Sequence, residues 1–154
     1  MGGIATLLRK AYLNWSIAAI KSALIITTYT LDDSGKKIRD LATGKESIPF
    51  VHGARHVDLN RALNLRLIYD LNVNDYPIGS DICSKNSLSS PGDLNYPSFS
   101  IILSSDQSLV KYKRVVTNVG SNADAVYKVN VTAQIGVEIS VSPSELVFND
   151  ENQS

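Results

Sequence analysis

The sequence contains a single cysteine, Cys83, among its 154 residues. One thiol cannot close an intrachain disulfide, and it cannot build a cysteine-based zinc site. No base or helix start beside Cys83 favours a reactive thiolate. We therefore interpret Cys83 as an unpaired residue and expect the fold to need no disulfide, metal or other cofactor.

An excess of one charge is also absent, because 15 basic residues balance 15 acidic residues and the formal net charge is zero. No basic cluster is longer than pairs such as Arg9-Lys10 and Lys36-Lys37. Binding to nucleic acid or to an anionic membrane needs a concentrated basic surface. The composition therefore predicts neither partner.

Long apolar runs are missing as well, since none approaches the roughly 20 residues of a membrane-spanning helix. The first apolar stretch, Ile4 to Leu8, is short, and Arg9 and Lys10 follow it instead of preceding it. A secretory signal has the opposite order. The sequence as written thus predicts no signal peptide, and the location stays unknown, or cytoplasmic if the chain is expressed as written.

Apolar residues nevertheless make up 44% of the chain, which is enough for a buried core. The spacing of Ile4, Leu7, Leu8 and Ala11 predicts one face of a helix. Ser16 is a good N-cap for a second helix from Ile17 to Thr28. That helix is apolar nearly all round and should be buried on several sides, as it would be in a larger protein.

The middle of the chain is less regular. Residues 31–49 are polar and turn-rich and predict a surface loop, and residues 60–63 are the most helical part of the following segment. Residues 72–92 have the composition of a linker. We therefore predict a helical domain over residues 1–71, a linker over 72–92 and a β domain over 93–154.

The β domain is predicted from a period of two in apolar residues, interrupted by polar turns. Short strands with regularly spaced turns are typical of an antiparallel sandwich. The fold class is thus α+β. The expected strands are Phe99–Leu103, Leu109–Asn118, Val126–Ala133, Val137–Val141 and Leu146–Phe148. We interpret the aromatic residues as core and not as a binding platform, namely Tyr96, Phe99, Tyr112, Tyr127 and Phe148.

Two motifs in this part of the chain are distinctive, Leu94-Asn95-Tyr96-Pro97-Ser98 and Arg114-Val115-Val116-Thr117-Asn118-Val119. They resemble the fibronectin type III-like domain of plant subtilisin-like serine proteases. The run from Asn14 to Leu24 resembles a helix of the same family's catalytic domain, and residues 50–71 resemble the segment that closes that domain. The resemblance implies a helical remnant of a subtilisin-type α/β domain followed by a partial β-sandwich.

The family hydrolyses peptide bonds with an Asp-His-Ser triad and an oxyanion-hole asparagine. Gly3 to Leu8 is similar to the helix whose N-terminal end carries the serine, so the resemblance places all four catalytic groups before Met1. No Gly-Thr-Ser motif occurs in the sequence. We expect these residues to contain no catalytic group and to be inactive, although the family is secreted and extracellular.

The chain also departs from the family pattern. Leu13, Leu59 and Leu65 stand at usual proline positions, Arg55 and Arg66 at usual glycine positions, and Asn64 at a usual aspartate position. Each change can arise from one C-to-T or G-to-A transition, a bias that resembles the decay of a methylated, unselected gene. Between Tyr76 and Asp81 the chain is short, which leaves Cys83 without the cysteine that the family has there.

His52 and His56 are four residues apart and could face one metal on a helix. Gly53 lies between them and disfavours a helix, so we interpret both as structural. Three glycosylation sequons occur, at Asn14, Asn130 and Asn152. We predict Asn130 as the candidate glycosylation site on an outer strand face, Asn14 as partly buried between helices, and Asn152 as terminal.

Three functional hypotheses follow. The first is a truncated, inactive homologue of a subtilisin-like serine endopeptidase. The second is a small β-module that binds another protein through an exposed sheet edge. The third is a decayed gene product without function.

Overall fold

The computed structural model describes residues 2–48, 53–54, 56–71, 75, 91–102, 109–133 and 135–152. Helices and antiparallel strand pairs both occur in it, which confirms a mixed α+β class. The helices are α1 (Gly2–Ala11), α2 (Ile17–Ile26) and α3 (Leu59–Leu63), with a 3-10 turn at Pro91–Asp93. The strands are β1 (Leu67–Ile68), β2 (Thr117–Asn118), β3 (Ala125–Lys128) and β4 (Glu145–Phe148).

Helix α2 begins where the sequence predicts it. The Ser16 hydroxyl accepts a hydrogen bond from the Ala19 amide at 2.9 Å, which satisfies one of the free N–H groups at the helix start. The helix ends two residues earlier than expected. Thr27 lies outside it, and its hydroxyl donates to the Ala23 carbonyl at 2.6 Å, in competition with the backbone ladder.

The three helices enclose a small apolar core. Leu8 of α1, Ile20 and Ala23 of α2, and Ala62 of α3 are buried and pack together. Asp58 caps α3 through a hydrogen bond from the Arg61 amide. Helix α3 is short, so most of its stability comes from this packing and not from helix propensity.

Burial of α2 is one-sided. Ala19, Ile20, Ser22 and Ala23 are buried, whereas Ile17 at the start of the helix is 88% exposed. The expectation of burial on several sides is therefore not met within the described residues. On the opposite side Ile17 and Lys21 are exposed, and Ala18, Leu24 and Ile25 are half-buried.

The loop after α2 is held by short turns. Isolated bridges join Leu31 to Lys37 and Arg39 to Glu46. Gly35 and Gly44 close the two turns with φ of 73° and 67°, values that favour glycine. A hydrogen bond from the Thr43 hydroxyl, helped by backbone N–H donors, lowers the pKa of Asp40 below its usual value.

The strands form two separate two-stranded antiparallel ladders. In the first, Leu67 of β1 pairs with Asn118 of β2, so a strand from the predicted helical domain joins one from the predicted β domain. In the second, β3 pairs with β4 from Ala125↔Phe148 to Lys128↔Glu145. This ladder confirms the predicted strand at residues 146–148.

The other predicted strands are shorter than expected or wrong where the structure describes them. Leu109–Asn118 is confirmed only at Thr117–Asn118, and Val126–Ala133 only at residues 126–128. Residues 99–102, 109–116, 129–133 and 137–141 belong to no ladder. Val137, Ile139 and Val141 are 43–47% exposed, because alternation alone supplies no partner strand. Among the expected core aromatics, Phe148 is 5% exposed but Phe99 is 59% exposed.

Two neighbouring leucines of α1 offer a matched test of the helical core. Leu8 is fully buried and Leu7 is 54% exposed. We expect Leu8→Ala to lower the free energy of unfolding by about 2–5 kcal/mol, since it leaves a cavity. Leu7→Ala should cost less than about 1 kcal/mol. Urea titration followed by the fluorescence of the single tryptophan, Trp15, measures both, and equal losses would contradict this core.

Candidate functional site

The first distinctive motif contributes a side-chain clamp. The Asn95 amide nitrogen donates to the Asp70 carbonyl at 2.9 Å and to the Val115 carbonyl at 2.8 Å. The Asn95 side-chain oxygen accepts from the Val115 amide at 2.8 Å. One carboxamide thus uses both N–H groups and its oxygen on backbone from two distant parts of the chain.

Asp70 extends this clamp to the start of α2. Its carboxylate accepts hydrogen bonds from the Ser16 hydroxyl and from the Leu71 amide. Ser16 is also the N-cap of α2. A continuous path therefore runs from the start of α2, through Asp70 and Asn95, to the backbone of Val115.

Arg114 of the second motif binds back to the first. Its Nε donates to the Tyr96 carbonyl at 2.9 Å, and its Nη1 donates to the Gly92 carbonyl at 2.6 Å. The guanidinium also lies 5.8 Å from the centre of the Tyr112 ring, which is within cation–π range. A Cβ on Gly92 would lie 1.9 Å from a carbon of that ring, so only glycine fits here.

Asn118 of the second motif also binds other segments of the chain through its side chain. It is 7% exposed, and its amide nitrogen donates to the Asn122 carbonyl at 3.0 Å. Its oxygen accepts from the Gly120 amide at 3.1 Å and from the Tyr127 hydroxyl at 3.4 Å. Asn118 therefore connects β2 to the following turn and to β3.

We call Asp70, Asn95, Arg114 and Asn118 together the junction clamp. Like the bond from Asn95 to Asp70, two further contacts join residues 1–71 to residues 93–154. The Val119 amide donates to the Arg66 carbonyl at 2.8 Å, and the Lys21 ammonium lies 5.0 Å above the Tyr96 ring. Sequence reasoning found the two motifs but missed Asp70. The sequence signal that could have revealed Asp70 is a charged residue close to the apolar residues Ile68 and Leu71.

The junction clamp holds backbone and presents no reactive group. Most polar atoms of these four side chains are engaged in the hydrogen bonds described above. Ser16 and Ser22 are likewise bound, to Asp70 and to the Tyr69 amide. Across the described residues, no hydrogen bond joins a serine to a histidine, which a nucleophile and its base would require.

Of the other candidate residues, the structure describes His56. His52 and Cys83 lie outside the described residues. The His56 and Tyr29 rings pack nearly perpendicular to each other, with their centroids 5.4 Å apart. Where the chain is described, no three His, Cys, Asp or Glu side chains gather as metal ligands, and no helix there is long and apolar enough to cross a membrane.

A shallow cleft of about 350 Å³ lies beside the loop that follows α2. Two of its three acidic residues, Asp32 and Asp58, already have partners. Asp32 accepts from the Ser34 and Lys36 amides, and Asp58 caps α3 and pairs with Arg61 at 3.4 Å. The cleft therefore offers few free groups to a ligand.

The sequons differ from their predicted settings. Asn130 is exposed, as expected, but it follows β3 instead of lying within a strand, and Val129 and Val131 beside it are also exposed. The prediction that Asn14 is partly buried is wrong, because Asn14 lies exposed in the turn between α1 and α2. Asn152 forms a backbone bridge with Asn149.

Several departures from the family pattern fit this structure. Leu59 is the first residue of α3, a position that suits proline but also accepts a good helix former. Leu59 and Leu65 pack against the helical core, and Arg66 points its charge to solvent. Arg55 lies outside the described residues.

A family model described as a fibronectin type-III domain matches residues 93–154 of the chain. These residues contain three of the four members of the junction clamp. The fold and the clamp thus define a fibronectin type III-like β module that is hydrogen-bonded to the helical part before it.

Curated relatives match the whole chain. It is 50% identical to subtilisin-like protease SBT1.4 of Arabidopsis thaliana over 98% of the chain. It is 40% identical to SBT1.7 of the same plant over 99% of the chain, and 39% identical to SBT3 of Solanum lycopersicum over 98%. The chain belongs to the plant subtilisin-like protease family, and the resemblance found in the sequence is confirmed.

The match covers only part of each relative. The chain spans 22% of the length of each of these three proteases. The alignment with SBT1.4 runs over 171 positions, more than the 154 residues of the chain. That relative therefore carries residues in this region that the chain lacks.

Asn95 gives a direct test of the junction clamp. Asn95→Ala should lower the free energy of unfolding by about 2 kcal/mol, because it removes three hydrogen bonds to backbone groups. Asn122→Ala, which changes an exposed side chain outside the clamp, should cost less than about 0.5 kcal/mol. Urea titration measures both, and equal costs would show that the clamp contributes nothing.

Asn95→Asp adds a pH dependence. Two carbonyl oxygens would then face the new carboxyl against one N–H donor, so folding should raise the pKa of that carboxyl above its unfolded value of about 3.9. The raised pKa makes this variant most stable at acid pH, and the extra stability is lost as pH rises from about 4. A constant difference from wild type between pH 3 and 7 would contradict this.

Proposed function

We propose that the chain is the non-catalytic part of a subtilisin-like serine endopeptidase, in which it closes the catalytic domain and begins the fibronectin type III-like domain. The proposed division is residues 1–71, 72–92 and 93–154. In this role the first part is a helical remnant of the subtilisin-type α/β domain, and the last part is an incomplete antiparallel sandwich.

The observation that carries this proposal is the junction clamp. Asn95 of the fibronectin-like part binds Asp70 at the end of the helical part, and Asp70 binds the cap of α2. The clamp therefore couples the β part to a helix that continues the catalytic domain of the relatives. Its function is to brace that helix.

An exposed apolar residue at the start of α2 agrees with the same role. Ile17 is 88% exposed. Apolar surface of this kind in a helix normally packs on another layer. We propose that the missing layer is the parallel sheet of the catalytic domain.

The proposed chemistry of the family is peptide-bond hydrolysis, and we propose that these 154 residues do not perform it by themselves. Ser16 and Ser22 are bound to Asp70 and to the Tyr69 amide, and His56 packs on Tyr29, which is not the arrangement of a nucleophile and its base. The family's location implies passage through the secretory route, in which Asn130 is proposed to accept an N-linked glycan.

The protein-binding alternative depends on the edges of the β3–β4 ladder. That ladder has four residues in each strand, and short edge strands are poor templates for an added strand. The substitutions that suggested a decayed gene are also accommodated at Leu59, Leu65 and Arg66. Neither alternative accounts for the junction clamp as directly as the bracing role.

A fluorophosphonate probe tests the absence of hydrolytic activity. We expect the 154-residue chain to show no labelling above a heat-killed sample, because the probe needs an activated serine. An active subtilisin-type protease in the same assay is the positive control. Labelling of the chain that heat abolishes would contradict the proposal, and the labelled peptide would identify the serine.

A further inference from the structure

The asparagines that the structure describes differ in how the side-chain nitrogen is used. Asn95, Asn118 and Asn64 each donate from Nδ2 to a backbone carbonyl. Nδ2 is also the atom to which an N-linked glycan is attached. An asparagine can carry a glycan without loss to the fold only where Nδ2 is not needed as a donor.

Asn14 differs from these three asparagines. Its side chain is exposed and makes no hydrogen bond within the described part of the chain. It lies in a tight turn, in which the Trp15 amide donates to the Tyr12 carbonyl at 3.2 Å. The next two residues, Trp15 and Ser16, complete a glycosylation sequon.

Other side chains hold this turn. The Tyr12 ring stacks on Trp15 with centroids 4.0 Å apart and planes 7° from parallel. The Tyr12 hydroxyl donates to the Leu63 carbonyl, and the Arg9 guanidinium donates to the Trp15 carbonyl. The conformation of the turn is therefore independent of the Asn14 amide.

Ser16 sets the order of events. Its hydroxyl completes the sequon, but in the folded chain the same hydroxyl caps α2 and binds Asp70. A hydroxyl that is engaged in these two hydrogen bonds is not available for recognition as part of the sequon. Attachment at Asn14 must therefore precede the formation of α2, and the folded turn then holds the attached sugar in solvent.

We propose that Asn14 is an N-glycosylation site of this chain. The donor is a lipid-linked oligosaccharide diphosphate. Nδ2 forms a bond to the anomeric carbon of the sugar, the bond from that carbon to the diphosphate breaks, one N–H proton is lost to a base, and the lipid diphosphate leaves. The proposal rests on the passage through the secretory route that the proposed function implies.

The test is translation of the full chain, preceded by a secretory signal peptide, in the presence of microsomes. Gel mobility before and after peptide-N-glycosidase counts the glycans, and mass spectrometry of the peptide that contains Asn14 locates them. We expect Asn14→Gln to carry one glycan fewer than wild type. Asn122→Gln, an exposed asparagine outside any sequon, should leave the number unchanged.

Ser16 variants separate the sequon from the fold. Ser16→Thr should keep the Asn14 glycan and Ser16→Ala should lose it, and because attachment comes first, neither result depends on folding. The proposal is overturned if Asn14→Gln carries as many glycans as wild type, or if the wild-type chain carries none. A glycan at Asn130 alone would refute the Asn14 site and leave the secretory placement intact, and the fluorophosphonate result is independent of both.

Discussion

The hydrogen bonds of the Asn95 carboxamide are the interaction on which the arrangement of this chain depends. One planar group satisfies the Asp70 and Val115 carbonyls and the Val115 amide, and so joins two segments that are far apart in sequence. A side chain can do this where regular pairing is scarce, because its two donors and one acceptor imitate a strand edge. The β1–β2 ladder beside it contributes only two residue pairs.

The role of the clamp explains why the two motifs identify a family and reveal nothing about activity. Asn95, Arg114 and Asn118 direct their polar atoms at backbone groups inside the molecule. These contacts fix the backbone and involve no serine or histidine side chain. Motifs of this kind record a requirement of folding.

Local signals predicted the helical part well. Ser16 as the N-cap and the short helix near residues 60–63 depend on neighbours within one or two turns, and both are present. The prediction of a strand at residues 137–141 was wrong, because alternating apolar residues predict a segment with two different faces but do not supply a partner strand. The link from Asp70 to Asn95 spans 25 residues and has no local signature. Asn14 was misjudged because apolar neighbours in sequence do not bury a residue at the apex of a turn.

The pairing of β1 with β2 means that the border between the two parts in sequence is not a border in space. Leu67 and Ile68 lie before the segment 72–90, and their partners Asn118 and Thr117 lie after it. The bond from Asn95 to Asp70 and the contact of Lys21 with Tyr96 span the same segment. After cleavage of a peptide bond between residues 72 and 90, these contacts would therefore still hold the two fragments together. The fragments would elute as one species in gel filtration until a denaturant disrupted the contacts.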